Sequence, residues 1–304
     1  MTNPLDITLG SLVGDALALG PHWVYDQGVI RHRLGRVRTY QAPLTAYHVG
    51  KSAGDTTHYG DQALILLRSV AETGGFDLKH FAAGWRAYWE DPANRSYRDG
   101  ATRSTLAQLQ AGADITAAAS TSQDIAGAAR IAPLFLLKWA DDEELVAAVR
   151  EQTAFTHREP VVVEAAEFFT RVSLALRRGK NMRDAVEETM ATGGWESLLD
   201  DWLDNAIESA ASTESDAAEL HRHGLLCHTE DAFPGICHLL LRHPQDPATA
   251  LVENACAGGD SAARGMILGL VYGACIPVST WPAEWLEGLH CREEVNELAS
   301  RLRR

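Results

Sequence analysis

The feature that most limits how this chain can fold is a row of glycines near its C-terminal end. Gly265, Gly269 and Gly273 recur every four residues through an apolar run that ends at Ala274. Residues four apart share one face of a helix. A glycine there costs about 1 kcal/mol, so the row needs a second backbone lying against it. Near the N-terminus, Leu5, Leu9, Leu12, Ala16 and Leu19 follow helical intervals with Gly10, Gly14 and Gly20 among them, and Pro21 closes the segment. This too reads as a helix packed closely on its neighbours.

Almost every other window also has helical period, and none shows the alternation of a half-buried strand. The pattern predicts helices over 76–89, 102–111, 143–154, 160–178, 181–192, 196–211 and 248–257. It also predicts one that starts near Asp124 and carries Leu134 to Trp139, and a closing helix from Trp281. Residues 31–53 read as mixed, and 212–224 as a polar, flexible link. The expected fold is all-α, a compact orthogonal assembly of many helices forming one domain over residues 1–304.

Composition narrows the function classes. With 304 residues and 46% hydrophobic content the chain can bury a large core. A formal charge of −14, with acidic residues spread along the chain, argues against a nucleic-acid or anionic-membrane surface, although a local basic site for a phosphorylated small ligand stays open. The five cysteines form no Cys-x-x-Cys pair and read as reduced thiols in a cytoplasmic protein. The apolar run from Met266 to Val278 is short of the ~20 residues a membrane span needs. Asp6 and Asp15 interrupt what would otherwise resemble a signal segment.

Two helix mouths concentrate the polar residues. The first is Gly54-Asp-Thr-Thr-His-Tyr-Gly-Asp61, which runs directly into an apolar helix. Thr57 or Asp61 there reads either as an N-cap or as part of a site for anions, water or a metal, since helix N-termini present unpaired N–H groups. The second is Gly258-Gly-Asp260-Ser261, in the same arrangement at the head of the glycine-rich helix, and two such mouths can share one site. Asp15, inside an apolar helix, must be paired, hydrogen-bonded or functional. His22 reads as a base or ligand, or as a satisfied core residue. His157, at a corner between helices, faces a ligand or only caps. The small residues around Gly127 allow close backbone approach to a ligand, or tight helix contact.

Taken together, Gly14-Asp-Ala-Leu17, Thr57 followed by Ala63-Leu64, Arg130-Ile-Ala-Pro-Leu134, Thr156-His157, Gly258-Gly-Asp-Ser261, Gly269-Leu-Val-Tyr-Gly-Ala274 and Ile276-Pro277 resemble the ADP-ribosylglycohydrolase superfamily. They occur in the family's order from about residue 10 to residue 290. The resemblance implies an all-helical fold whose central cleft binds ADP-ribose and, in active members, two magnesium ions. Those ions are held by a Thr/Ser-Asp-Asp run and an Asp-x-Asp-Thr/Ser run. Here Thr57 and Asp260 occupy matching metal positions, but His58 and Tyr59 replace the two aspartates of the first run, and Ala262 and Ala263 replace the second aspartate and the hydroxyl residue of the second. At least three carboxylates are gone, and hard cations want several. His22 stands where relatives acting on ADP-ribosylserine carry a glutamate. Pro21-His-Trp-Val-Tyr-Asp26 is similar to the branch containing J1-crystallins, structural proteins of the lens, and selenoprotein J.

The resulting expectation is a protein that binds ADP-ribose or a related ribosyl nucleotide, or an ADP-ribosylated protein. Any hydrolysis of its glycosidic bond would proceed without the dinuclear magnesium centre. Asp260, Asp55 or Asp61 would act as base or stabilise an oxocarbenium-like ribose, with His58 or His22 as acid or orienting partner. Asp15, Tyr59, Asp124, Gly127, His157 and Ser261 would contact the substrate, His157 and the 120–130 segment holding the nucleotide by resemblance. The alternatives are a catalytically inactive binding or structural protein, and a His/Tyr/Asp set that takes a transition metal, since imidazole suits zinc or iron better than magnesium.

Overall fold

A computed structural model describes residues 3–302. In chain order the helices are α1 (Pro4–Ala18), α2 (Gln27–Leu34), α3 (His58–Thr73), α4 (Leu78–Glu90), α5 (Gly100–Gln110) and α6 (Ala126–Ala129). Then come α7 (Asp142–Ala154), α8 (Pro160–Arg177), α9 (Met182–Thr192), α10 (Leu199–Ala210) and α11 (Asp216–His223). The chain ends with α12 (Thr229–Arg242), α13 (Pro247–Ala257), α14 (Ser261–Gly273), α15 (Ala283–Glu287) and α16 (Arg292–Leu302). No strand occurs among the described residues, only two isolated bridges, Ser120 with His157 and Asp124 with His228. The all-α expectation therefore holds.

The two glycine-bearing helices pack on each other. A Cβ on Gly14 would lie 2.0 Å from the Gly265 carbonyl oxygen, and one on Gly269 would lie 1.9 Å from that of Gly10. Backbone meets backbone, which is the reason the rows are glycine. Every residue of α14 is buried, and all of α1 from Ile7 onward. Around this pair one continuous cluster of buried apolar side chains extends from Ile7 to Leu298. The crossing also brings Asp15 of α1 close to the N-terminal ends of α3 and α14.

The structure departs from the sequence expectation in four places. Residues 212–224 contain helix α11, fastened by charge: Asp216 meets His238 and His243 at 2.9 Å each, and Glu219 meets Arg222 at 2.6 Å. A polar segment is ordered here because its carboxylates are paired inside the fold. The segment expected to carry Leu134 to Trp139 as one helix instead breaks into α6 and a 3₁₀ turn over Ala132–Leu136, because Pro133 removes a donor. Residues 27–34 form α2, capped by the Asp26 side chain on the amides of Gly28 and Val29. The chain end divides into α15 and α16, separated by Gly288 to Cys291.

Candidate functional site

The connections before α2, before α3, before α5, after α5, after α7 and before α12 converge where α3 and α14 begin. Backbone bonds stitch them together. Trp23 donates to Gly259 O at 2.8 Å and Gly259 donates to Val24 O at 2.9 Å, while Asp260 N donates to Leu225 O at 2.9 Å. Gly258 and Gly259 have φ of 73° and 62°. This left-handed conformation favours glycine and turns the chain sharply enough to aim Asp260 inward at the head of α14. Trp23 also has φ 62°, strained for so bulky a residue. Its two-way backbone exchange with Gly259 and Val24 holds it there.

Asp15 lies at the bottom of the site. Its carboxylate accepts from the Thr57 amide and the Thr57 hydroxyl, both at 2.6 Å. Complete burial pushes its pKa up to about 7, even though the bonds from Thr57 oppose the shift. Thr57 also caps α3 by accepting from the Tyr59 amide at 3.1 Å. Its hydroxyl is thus engaged on both sides. The Tyr59 hydroxyl donates to Asp260 Oδ2 at 2.8 Å. Burial raises the pKa of Asp260, with the Tyr59 bond and Arg264 working against it. His22 Nδ1 lies 3.8 Å from Asp260 Oδ1 and 3.4 Å from the Ala262 amide.

His58, the first residue of α3, presents Nδ1 to His48 Nε2 at 3.3 Å and Nε2 to Asp99 Oδ2 at 3.5 Å. Burial pushes the Asp99 carboxyl up, but His58 and the Thr102 amide outweigh it and hold the group well below the usual carboxylate range. Burial lowers His48 to about 3, helped by His58 and Lys51, and lowers His157 to about 4, helped by Arg130. The same cause pulls His22 well below its ordinary value. These imidazoles are neutral at physiological pH. His157 Nδ1 bonds the Thr156 hydroxyl at 2.8 Å. Its Nε2 has no partner, and neither does Ser261 Oγ. Arg130 is fully buried and serves the scaffold, binding Gln62 at 2.8 Å, Gln152 at 2.5 Å and the Thr156 hydroxyl.

Above these groups the aromatic rings of Trp23, Tyr47 and Tyr97 meet edge to face at centroid distances of 5.0 to 5.4 Å. Trp23 also stacks on His22 at 4.4 Å. Tyr25 and Tyr47 are about half exposed, at 47% and 50%. Beside this rim is a depression of 620 Å³ lined by Tyr47, Tyr97, Arg95, Arg98 and Arg103 among others. It is a basic spot on an acidic chain. Asp124 and His228 lie 3.9 Å apart at the opposite edge, with Cys227 nearby.

Most of the expected residues are brought together here: Asp15, His22, Thr57, His58, Tyr59, Asp260 and Ser261, with Asp124 and His157 at the margin. Two carboxylates are engaged elsewhere. Asp61 is a structural hub, accepting from Lys51 Nζ at 2.7 and 2.9 Å, Thr56 at 2.9 Å, Tyr88 at 3.0 Å and Ser96 at 2.7 Å. Asp55 faces away and bonds His290 at 2.9 Å and Ser52 at 2.7 Å. At Gly127 the space a side chain would fill is taken by the His157 ring, 2.8 Å from the Cβ position. The glycine therefore seats His157. In sequence His48, Lys51 and Tyr97 carry no functional signal, and the turn-rich stretch around Asp99 reads as a turn that could also face a ligand. They lie on irregular connections, where no periodicity marks a side chain as inward-facing.

A family model described as ADP-ribosylglycohydrolase matches residues 5–304. An uncharacterized protein of Archaeoglobus fulgidus is 27% identical over 301 residues, covering 97% of this chain and 93% of that protein. Crystallin J1B of Tripedalia cystophora is 24% identical over 320 residues, covering 97% of this chain and 96% of the crystallin. Among solved structures, a chain described as an ADP-ribosylglycohydrolase-related protein complex superposes with a TM-score of 0.78 at 22% identity, covering 98% of this chain and 96% of that one. That likeness shows a shared fold.

Proposed function

Because the chain belongs to the ADP-ribosylglycohydrolase family, we propose that its site binds ADP-ribose or a related ribosyl nucleotide, free or attached to a protein. Any cleavage of the glycosidic bond would proceed without a dinuclear magnesium centre. The observation that carries the reading is the pair of buried polar atoms lacking partners, His157 Nε2 and Ser261 Oγ, beneath an aromatic rim. Buried polar atoms cost free energy unless something bonds them, and a ribose presents several hydroxyls. The rim suits an adenine ring, and Arg95, Arg98 and Arg103 suit a diphosphate.

The donor set fits two magnesium ions poorly. The Thr57 hydroxyl is spent on Asp15 and the Tyr59 amide, Asp260 Oδ2 is spent on Tyr59, and Ala262 and Ala263 offer no oxygen. Hard divalent cations require several oxygen ligands. The chemistry assigned here therefore rests on side chains. Asp260 is the base toward water or the stabiliser of an oxocarbenium-like ribose, since neither Asp55 nor Asp61 is free for it. The Tyr59 hydroxyl orients Asp260 with His22 beside it, and His58 Nε2 orients Asp99. The whole chain is taken as one functional unit, as its continuous core supports. Five free cysteines support a cytoplasmic protein, and no helix among the described residues is long and apolar enough to cross a membrane. The spread of acidic charge supports one without a nucleic-acid partner.

Similarity to crystallin J1B, together with the internal pairing of Thr57 and Tyr59, favours a second reading in which the fold is kept as a binding or structural protein without turnover. Calorimetry with ADP-ribose in EDTA and then in magnesium separates the two. Binding that is indifferent to chelator and at least about tenfold weaker in Tyr97→Ala, the order expected for one lost stacking contact, supports the first. No binding in either condition sinks it. Release of ADP-ribose from modified arginine or serine peptides by the parent but not by Asp260→Asn supports the assigned base. Equal rates remove Asp260 from that role.

A further inference from the structure

Three histidines, one from each of three segments, place their rings together behind the rim. His22, His48 and His58 are 0%, 3% and 0% exposed, and one nitrogen of each lies within 4.8 Å of those of the other two. His22 is on the turn after α1, His48 on the connection before α3, and His58 on the first turn of α3. Nothing in the secondary structure requires imidazole at any of these positions.

We propose that His22, His48 and His58 form a binding site for a single divalent transition-metal ion of the zinc class. The ordinary zinc–nitrogen distance of about 2.0–2.1 Å in a tetrahedron puts two ligand nitrogens about 3.3 Å apart. His48 Nε2 and His58 Nδ1 are 3.3 Å apart. The third ligand needs only a short approach. His22 Nε2 is buried and without a hydrogen-bond partner.

The outer contact of His58 matches what a metal-bound histidine needs. Such a ring offers its second nitrogen as a donor to a carboxylate or carbonyl, which fixes its tautomer and orientation. His58 presents Nε2 to Asp99 at 3.5 Å, so the ring that supplies Nδ1 to the cluster has a carboxylate on its far side. A three-histidine set leaves a tetrahedral ion one position open, and Trp23, stacked on His22 in a strained backbone conformation, forms the wall beside it. Oxygen-rich dinuclear chemistry and a three-nitrogen set call for different ions: imidazole nitrogens suit zinc, cobalt, nickel or iron, and not magnesium. The assignment does not depend on the ribosyl ligand, because the three rings converge whatever occupies the rest of the site.

A competing cluster lies on the same pole. Asp124, Cys227 and His228 also have ligand atoms within 4.8 Å of one another, but Cys227 and His228 lie on the more open edge. Cobalt(II) tells the two apart. Full-length protein stripped with EDTA and titrated with Co²⁺ in the absence of nucleotide is expected to take one equivalent. It should develop the intense visible absorption of a tetrahedral ion, without a sulfur-to-cobalt charge-transfer band. Zn²⁺ should displace it mole for mole. His48→Gln, at a position given no part in ribosyl binding or catalysis, is expected to weaken Co²⁺ binding at least 100-fold while Cys227→Ser leaves it unchanged. Absence of saturable uptake by the parent protein overturns the proposal. A charge-transfer band lost in Cys227→Ser overturns it too, by placing the ion at the other cluster. If His48→Gln does not fold, the stoichiometry and spectrum of the parent and of Cys227→Ser decide alone. The ribosyl reading is tested separately, by nucleotide binding in EDTA.

Discussion

Asp15 offers the sharpest test of how this site is built. Its carboxyl is fully buried in α1, and its two bonds from Thr57 are 2.6 Å long. Burial raises its pKa from 3.8 to about 7. An acid whose folded pKa is raised contributes stability that is fully present below its unfolded pKa and is lost as pH rises through the folded one. Between pH 5 and pH 7 the folded protein holds a proton on Asp15 that the unfolded chain has released. Each pH unit in that interval is worth about 1.4 kcal/mol, so the wild type forfeits roughly 3 kcal/mol there through Asp15. Other groups titrate across the same range. His48 and His157, held neutral by burial, act with the opposite sign, since the unfolded chain takes up protons that they refuse. A difference measurement removes them. Asp15→Asn mimics the protonated acid, keeps an acceptor for the Thr57 amide and cannot ionise. Urea unfolding of both proteins at pH 5, 6, 7 and 8 should show the variant gaining on the parent by about 3 kcal/mol, with the gain complete near pH 7 to 8. A difference in stability that stays constant over that range would mean Asp15 is ionised throughout. The two Thr57 bonds would then outweigh burial, and the account of a protonated acid beneath α3 would be wrong.

Two further outcomes follow from the geometry. Gly269→Ala would set a methyl 1.9 Å from the Gly10 carbonyl oxygen, a backbone atom that cannot swing away. A loss of at least 1–3 kcal/mol is expected, read from urea midpoints, and a loss under about 0.5 kcal/mol would mean α1 and α14 separate at little cost. Asp61→Ala strips Lys51, Thr56, Tyr88 and Ser96 of a common acceptor and should cost about 1–3 kcal/mol, as leaving buried donors unsatisfied does. A variant with unchanged melting behaviour but no turnover would return Asp61 to the list of catalytic candidates.

How much of this was legible beforehand varied with the kind of signal. The helices of the core were readable because burying one face imposes a period on the residues. Glycine rows on α1 and α14 were readable for a related reason, since closely approaching backbones leave no room for a Cβ. Thr57 and Asp260 were readable as helix mouths because caps use few residue types. Helix α11 was misread because Asp216 finds its partners, His238 and His243, more than twenty residues along the chain, and charge without its partners looks like solvated surface. The site carboxylates were only half readable. Asp55, Asp61, Asp99 and Asp260 are alike as letters, and what separates them is which neighbours the fold brings within hydrogen-bonding distance.

By itself the sequence determined an all-helical architecture, the tightly packed glycine-bearing helices and the family. All of these are written in local spacing or in motif order. Tertiary structure alone decided that α1 and α14 pack on each other, that Asp61 is bound by Lys51, Thr56, Tyr88 and Ser96 while Asp260 meets Tyr59, that Asp99 stands behind His58, and that His22, His48 and His58 meet. The physical reason is that hydrogen bonds and metal ligation act over about 3 Å, whereas the groups they join here are separated by tens to hundreds of residues along an irregular chain, where no repeat records the encounter.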